Sequence, residues 1–125
     1  MNADKMTWTG RIITALLAPL FLMGVVMSLT KNPQAVEGLA KYGWPASALT
    51  TIALLELGSL VLYLIPQTSV LGAILLTGYL GGAVATHLRA SEPVLFPVLI
   101  GVLVWLGLWL REPRLRELLP MRKLP

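Results

Sequence analysis

Apolar residues in this chain fall into four long runs, at residues 12–29, 46–65, 70–86 and 94–110, and polar positions gather between them. The runs hold 17 to 20 residues each. At about 1.5 Å of rise per helical residue, such lengths suit a hydrocarbon core about 30 Å thick. The pattern therefore predicts an all-α protein: a four-helix transmembrane bundle forming one domain over residues 1–125.

The connections between the runs carry signals of their own. Residues 30–45 form the longest, where Asn32 suits a helix cap, Pro33 the first helical position, and Glu37 stands four residues before Lys41. Val36, Leu39 and Ala40 share one face, which predicts a short amphipathic helix on the membrane surface between spans one and two. That helix would serve as a surface anchor or as a cover for the mouth of the bundle, with Tyr42 and Trp44 marking the interface. Pro66, Gln67, Thr68 and Ser69 predict a tight turn between the second and third spans.

Within the spans, Pro19 removes a hydrogen bond to the Ala15 carbonyl and predicts a kink in the first helix. The third span is rich in glycine. Its Gly78 and Gly82, continued by Ala85, make a small-residue stripe that predicts close helix packing. Trp105 and Trp109 are expected in the aromatic belt near the end of the fourth span. Beyond it, residues 114–125 alternate arginine with Leu115, Leu118 and Leu119, predicting a basic amphipathic surface helix.

Composition agrees with a lipid solvent. Charged residues make up only 13% of the chain, about half the share of a soluble domain, and 56% of residues are hydrophobic. The net charge of +4 does not point to nucleic acid, because five of the ten Lys and Arg residues lie in the last fifteen positions. On a four-span topology, Lys5, Arg11 and those five share one side, against Lys31, Lys41 and Arg89 on the other. The bias places both termini in the cytoplasm. The run at 12–29 exceeds a signal-peptide core, carries Pro19 and lacks a small-x-small cleavage site, so a retained helix is expected. With no cysteine, the chain has no disulfide, thiolate metal site or thiol catalysis of its own.

Chemistry-bearing residues are few. Glu56 sits in the middle of the second apolar run, followed at helical spacing by Ser59 and Tyr63. A carboxylate at that depth costs about 2.5 kcal/mol or more, so it is expected to face the bundle interior and to have a partner. In an antiparallel hairpin its depth corresponds to Thr77, Gly78 and Tyr79, and Thr77 or Tyr79 would donate to it. It reads either as a proton-linked or ligand-binding acid, or as a satisfied acid that fixes helix packing.

His87 and Arg89 form a second group beside Ser91 and Glu92. They read as the polar rim of an outward-open pocket with Glu56 as its floor, about 15 Å away along the helix. Arg89 and Glu92 read equally as an interfacial ion pair. A single histidine without cysteine makes a poor metal site, so none is expected. The glycines of the third span follow no strand, which excludes a dinucleotide fold. Asp4 is the only aspartate, so no Ser–His–Asp arrangement suggests itself.

Several blocks together resemble the DoxX-like family of small bacterial membrane proteins. They are Trp8-Thr9-Gly10-Arg11, Leu55-Glu56-Leu57-Gly58, Tyr63-Leu64-Ile65-Pro66-Gln67-Thr68, Leu71-Gly72-Ala73, and Leu76-Thr77-Gly78-Tyr79-Leu80-Gly81-Gly82-Ala83 with His87-Leu88-Arg89. Trp105-Leu106-Gly107-Leu108-Trp109-Leu110-Arg111 completes the set. The resemblance implies a four-helix bundle in the cytoplasmic membrane, with Glu56, His87 and Arg89 at characteristic polar positions. Relatives are linked to quinone-dependent sulfur oxidation and to membrane complexes handling oxidative and thiol stress. A distant animal relative is a chaperone for receptor assembly.

Three functions follow as expectations. The first is a binding or redox-accessory subunit. It would hold a quinone or other isoprenoid lipid in a pocket lined by Glu56, Tyr63, Thr77 and Tyr79, with His87 and Arg89 at the mouth. The second is an assembly factor whose glycine-faced third helix packs on another membrane subunit or a second copy. The third is a small proton-coupled transporter. In the cysteine-free background, Ser91→Cys and Leu124→Cys are expected to react with an impermeant maleimide from opposite faces of the membrane.

Overall fold

The computed structural model describes residues 2–125, and every regular element among them is helical. There are six α-helices: α1 (Ala3–Leu29), α2 (Pro33–Lys41), α3 (Ala48–Leu64), α4 (Ser69–Arg89), α5 (Leu95–Arg111) and α6 (Pro113–Leu118). The four long ones pack in cyclic order, with α1 against α3 and α5, and α4 against the same two. Of these, α1 and the stretch Pro66–Arg89 are long and apolar enough to cross a membrane. Helices α3 and α5 are equally apolar but shorter, 17 residues each.

The exterior is as apolar as the interior. Leu16 and Met23 on α1, Leu55 on α3, Ile74 on α4 and Phe96 and Val102 on α5 all stand exposed. In water such a surface would drive aggregation; facing acyl chains it costs nothing. Inside, Leu17, Phe21, Leu60, Leu76, Val104 and Leu108 interlock in one core.

Local chemistry moves several boundaries from where periodicity alone puts them. Helix α1 begins well before the apolar run because the Asn2 side chain accepts from the Lys5 amide at 2.8 Å, and Asp4 favours the positive end of the first turn. The residues ahead of the apolar run are therefore helical from Ala3, and Met1 lies outside the described residues. Helix α1 continues through Pro19. Between α3 and α4, one turn of 3₁₀ helix spans Pro66–Thr68. There the Thr68 hydroxyl donates to the Leu62 carbonyl and the Ser69 hydroxyl to that of Ile65, satisfying acceptors left free at the end of α3.

The tail departs most from expectation. Only Pro113–Leu118 is helical, because Leu119 precedes Pro120 and adopts an extended backbone that cannot continue a helix. Arg116 helps to hold the tail, its guanidinium donating to the carbonyls of Trp109 and Leu110 and so capping the end of α5.

Close helix approach occurs at other glycines than the stripe on α4. A Cβ on Gly72 would collide with the backbone of Tyr63, and one on Gly10 would stand 2.5 Å from the Gly107 carbonyl oxygen. Gly78, Gly81 and Gly82 have open space around them. Helix α4 turns Gly72, Ala73, Leu76 and Leu80 inward at i, i+4 spacing, which leaves Gly78, Gly82 and Ala85 on the opposite, exposed side. The packing expected at Gly78, Gly82 and Ala85 is not made within this chain. Gly72→Val is thus expected to destabilise the detergent-solubilised protein by about 1–3 kcal/mol, the usual cost of overpacking, read as a lower thermal midpoint. Gly78→Ala should not lower the midpoint by circular dichroism.

Candidate functional site

Glu56 occupies the third turn of α3 and is only 5% exposed, with Ser59 and Tyr63 buried on the same face. The polar stripe therefore points inward, as an acid in an apolar span requires. Three helices shape its niche. Tyr79 on α4 donates its hydroxyl to Glu56 Oε2 at 3.0 Å. On α1, Gly24 leaves the room the carboxyl fills: a Cβ there would lie 3.2 Å from Oε1. Glu56 thus ties α3 to α4 by a hydrogen bond and to α1 by shape. Gly24 is a participant that sequence reasoning missed, since a lone glycine in an apolar helix gives no sign of what it faces.

Thr77 and Tyr63, grouped with Glu56 from the sequence, are engaged elsewhere. Thr77 donates to the Ala73 carbonyl and accepts from Trp105 Nε1 at 2.7 Å, which fastens α4 to α5. Trp105 accordingly turns toward α4, while Trp109 donates to the Leu119 carbonyl. Tyr63, fully buried two turns from Glu56, donates to the Val104 carbonyl at 2.6 Å and carries the Arg111 guanidinium over its ring. Of the four residues expected around the pocket, the structure brings together Glu56 and Tyr79.

His87 and Arg89 also meet partners that spacing did not suggest. Both lie in the last turn of α4, about 12 Å (His87) and about 15 Å (Arg89) along the helix from Tyr79 at about 1.5 Å per residue. His87 Nδ1 is 2.7 Å from the Ala83 carbonyl, and its ring lies against Tyr42 with centroids 5.0 Å apart. Arg89 donates to the Tyr42 carbonyl at 2.7 Å. Trp44 Nε1 donates to Thr86 Oγ1, and Lys41 forms an ion pair with Glu92.

These four contacts latch residues 41–44, the chain just after α2, onto the end of α4. The turn that permits it is at Gly43, whose φ of +86° is a left-handed conformation open to glycine at little cost. Asn32 and Pro33 start α2 as its sequence suggests, with Asn32 Oδ1 accepting from the Gln34 amide. Lys41 pairs with Glu92 and not with Glu37, and Arg89 pairs with a backbone carbonyl and not with Glu92. Both differences follow from the docking of 41–44, which brings a second carboxylate and a free carbonyl to the basic side chains.

The Lys41–Glu92 pair shifts both groups. Hydrogen bonding and attraction to Lys41 hold Glu92 below the ordinary carboxylate value, and the same interactions raise Lys41 above its own. The pair is therefore fully formed above about pH 4.5 and below about pH 10.5, and is lost as pH falls through the lowered Glu92 pKa or rises through the raised Lys41 pKa. Lys41 is exposed and Glu92 partly so, and salt should weaken the pair. Glu92→Gln is expected to speed amide hydrogen exchange over residues 41–44 relative to wild type at pH 7. Once the pH falls below the lowered Glu92 pKa, compared at matched intrinsic exchange rates, the two proteins should converge.

Chemically, the Tyr79 hydroxyl is spent on Glu56, so the interior pair offers the acid's second oxygen and the phenol oxygen's lone pairs in apolar surroundings, a set suited to a hydroxyl carried on a greasy molecule. The latch sits over the same end of the helices toward which α1 runs past Gly24. In comparison with known proteins, a family model described as "DoxX-like family" matches residues 12–107. No curated protein and no solved structure matches the chain.

Proposed function

The chain belongs to the DoxX-like family, and from that premise we propose that it is a multi-pass protein of the bacterial cytoplasmic membrane. In this reading all four long helices span as a bundle and both termini face the cytoplasm. Supporting it are the apolar exterior of α3 and α5, their packing beside α1 and α4, and the basic residues concentrated near the two ends of the chain. Seventeen helical residues cover about 25 Å, close enough to a bilayer core for flanking residues to complete the crossing.

In that bilayer the protein acts as an accessory subunit of a redox system, holding a quinone or other isoprenoid lipid against Glu56 and Tyr79. One observation carries this reading: among the described residues, an acid paired only with a phenol, with no cation beside it, amid apolar side chains of three helices. A cation would have marked Glu56 as half of a structural ion pair. A phenol instead leaves the acid's second oxygen for a ligand, to accept from a quinol hydroxyl or, when protonated, to donate to a quinone carbonyl, while the isoprenoid tail supplies the apolar surface.

A second reading rests on α4. Its exposed glycines, Gly78, Gly81 and Gly82, give another membrane helix a flat surface to approach, which favours an assembly role with a partner subunit or a second copy. Native mass spectrometry of protein released gently from its own membranes separates the two. On the first reading Glu56→Gln and Tyr79→Phe lose a bound quinone or isoprenoid several-fold, while Gly78→Leu with Gly82→Leu keeps it. On the second, the double glycine variant loses co-purifying protein and Glu56→Gln does not. Unchanged bound-lipid composition in both Glu56→Gln and Tyr79→Phe would end the ligand reading.

A further inference from the structure

At the opposite end of the helices from the latch lies a cleft of about 430 Å³, lined by Arg11 and Thr14 of α1, Ser69 and Val70 of α4, and Arg111 and Glu112 at the end of α5. It has no part in the Glu56 niche. Its character comes from the two guanidinium groups. Arg111 is half-buried and donates to Ser69 Oγ at 3.4 Å and to the Tyr63 carbonyl at 3.3 Å, both long, while its Nε is buried without any partner. Arg11 stacks on Trp8, with 5.1 Å from its guanidinium carbon to the ring centroid.

Neither arginine has a carboxylate partner among the described residues. Glu112 is the one acid on the rim, and its Oε1 accepts from the Arg114 amide, which commits it to capping α6. A partly desolvated guanidinium with an unfilled N–H and no counter-charge is costly, and an anion relieves that cost. Ser69 and Val70 add the first turn of a 21-residue helix whose N-cap, Thr68, has turned its hydroxyl to the Leu62 carbonyl instead. Amides at such a helix start favour an oxyanion.

We infer that this cleft binds a phosphate group, gripped by Arg11 and Arg111 at the start of α4. Arginine suits the task because its planar fork matches phosphate oxygens in pairs. The cleft also has apolar walls, Ala15, Leu64 and Leu108, which would accommodate the upper part of an acyl chain. It opens at the end of the spans where the positive residues gather, the depth at which phospholipid headgroups lie. The phosphate is thus that of a lipid headgroup or of a small soluble compound.

The two sources and the site itself are tested together on delipidated protein in nonionic detergent. Native mass spectrometry follows uptake of phosphatidylglycerol, with diacylglycerol as the phosphate-free control, and thermal unfolding is recorded with and without millimolar inorganic phosphate. Wild type should retain phosphatidylglycerol in preference to diacylglycerol. Arg11→Gln, at an exposed side chain stacked on Trp8, should lose that retention several-fold without altering the lipid-free thermal midpoint. Arg111→Lys should weaken retention less than Arg111→Gln, and Lys123→Gln should not change it. Stabilisation by inorganic phosphate, with displacement of the lipid, identifies a soluble phosphate compound as the ligand; binding of the lipid alone identifies a headgroup. Equal retention by wild type, Arg11→Gln and Arg111→Gln, with no response to inorganic phosphate, overturns the inference and leaves Arg111 as a brace between α5 and the α3–α4 turn. Glu56→Gln should behave as wild type here, so this result and the fate of the interior ligand are read independently.

Discussion

The structure turns on a carboxyl group that must be kept out of contact with hydrocarbon. An acid halfway along an apolar helix is tolerable only if its helix presents it inward and if neighbouring helices leave it space and a hydrogen bond. Helix α3 provides the direction, since Glu56, Ser59 and Tyr63 share one face. Tyr79 provides the bond and Gly24 the space. Because those two residues come from α4 and α1, the single requirement of solvating Glu56 sets how three of the four long helices face one another.

Polar groups at the two ends follow the same economy of burial in different ways. At one end the latch converts isolated side chains into a docked loop: Tyr42 lies on His87 and receives Arg89 at its carbonyl, while Lys41 reaches Glu92. At the other, guanidinium groups substitute for missing backbone partners. Arg116 caps the carbonyls that end α5, and Arg111 spans from α5 to the α3–α4 turn. The latch is closed by mutual contacts, whereas the Arg111 end keeps an unfilled donor beside an open cleft. That asymmetry distinguishes a structural clasp from a place where an anion belongs.

Small residues show how one motif can serve two surfaces. Gly72, Gly10 and Gly107 bring helices together within the chain, and a side chain at Gly72 or Gly10 would strike backbone. Gly78 and Gly82 have the spacing associated with helix pairing, yet they face outward. Spacing along a helix says which residues share a side; it does not say which side is covered. Only the inward commitment of Leu76 and Leu80 decides that for α4.

Hydropathy and capping residues by themselves determined the all-helical class, the short helix that Asn32 caps and the inward face of Glu56, because solvation and backbone capping act over a few residues. Tyr79 as the donor to Glu56 was legible as one of two candidates from hairpin register, with Thr77 the other. Choosing between them required the crossing of α4 with α5, which gives Thr77 to Trp105. Gly24 opposite Glu56, Tyr42 on His87, Glu92 on Lys41 and Arg111 on Tyr63 each join residues far apart in the chain. Such pairings depend on helix rotation and loop docking, degrees of freedom that the packing of the whole molecule decides and that no local pattern of residues encodes.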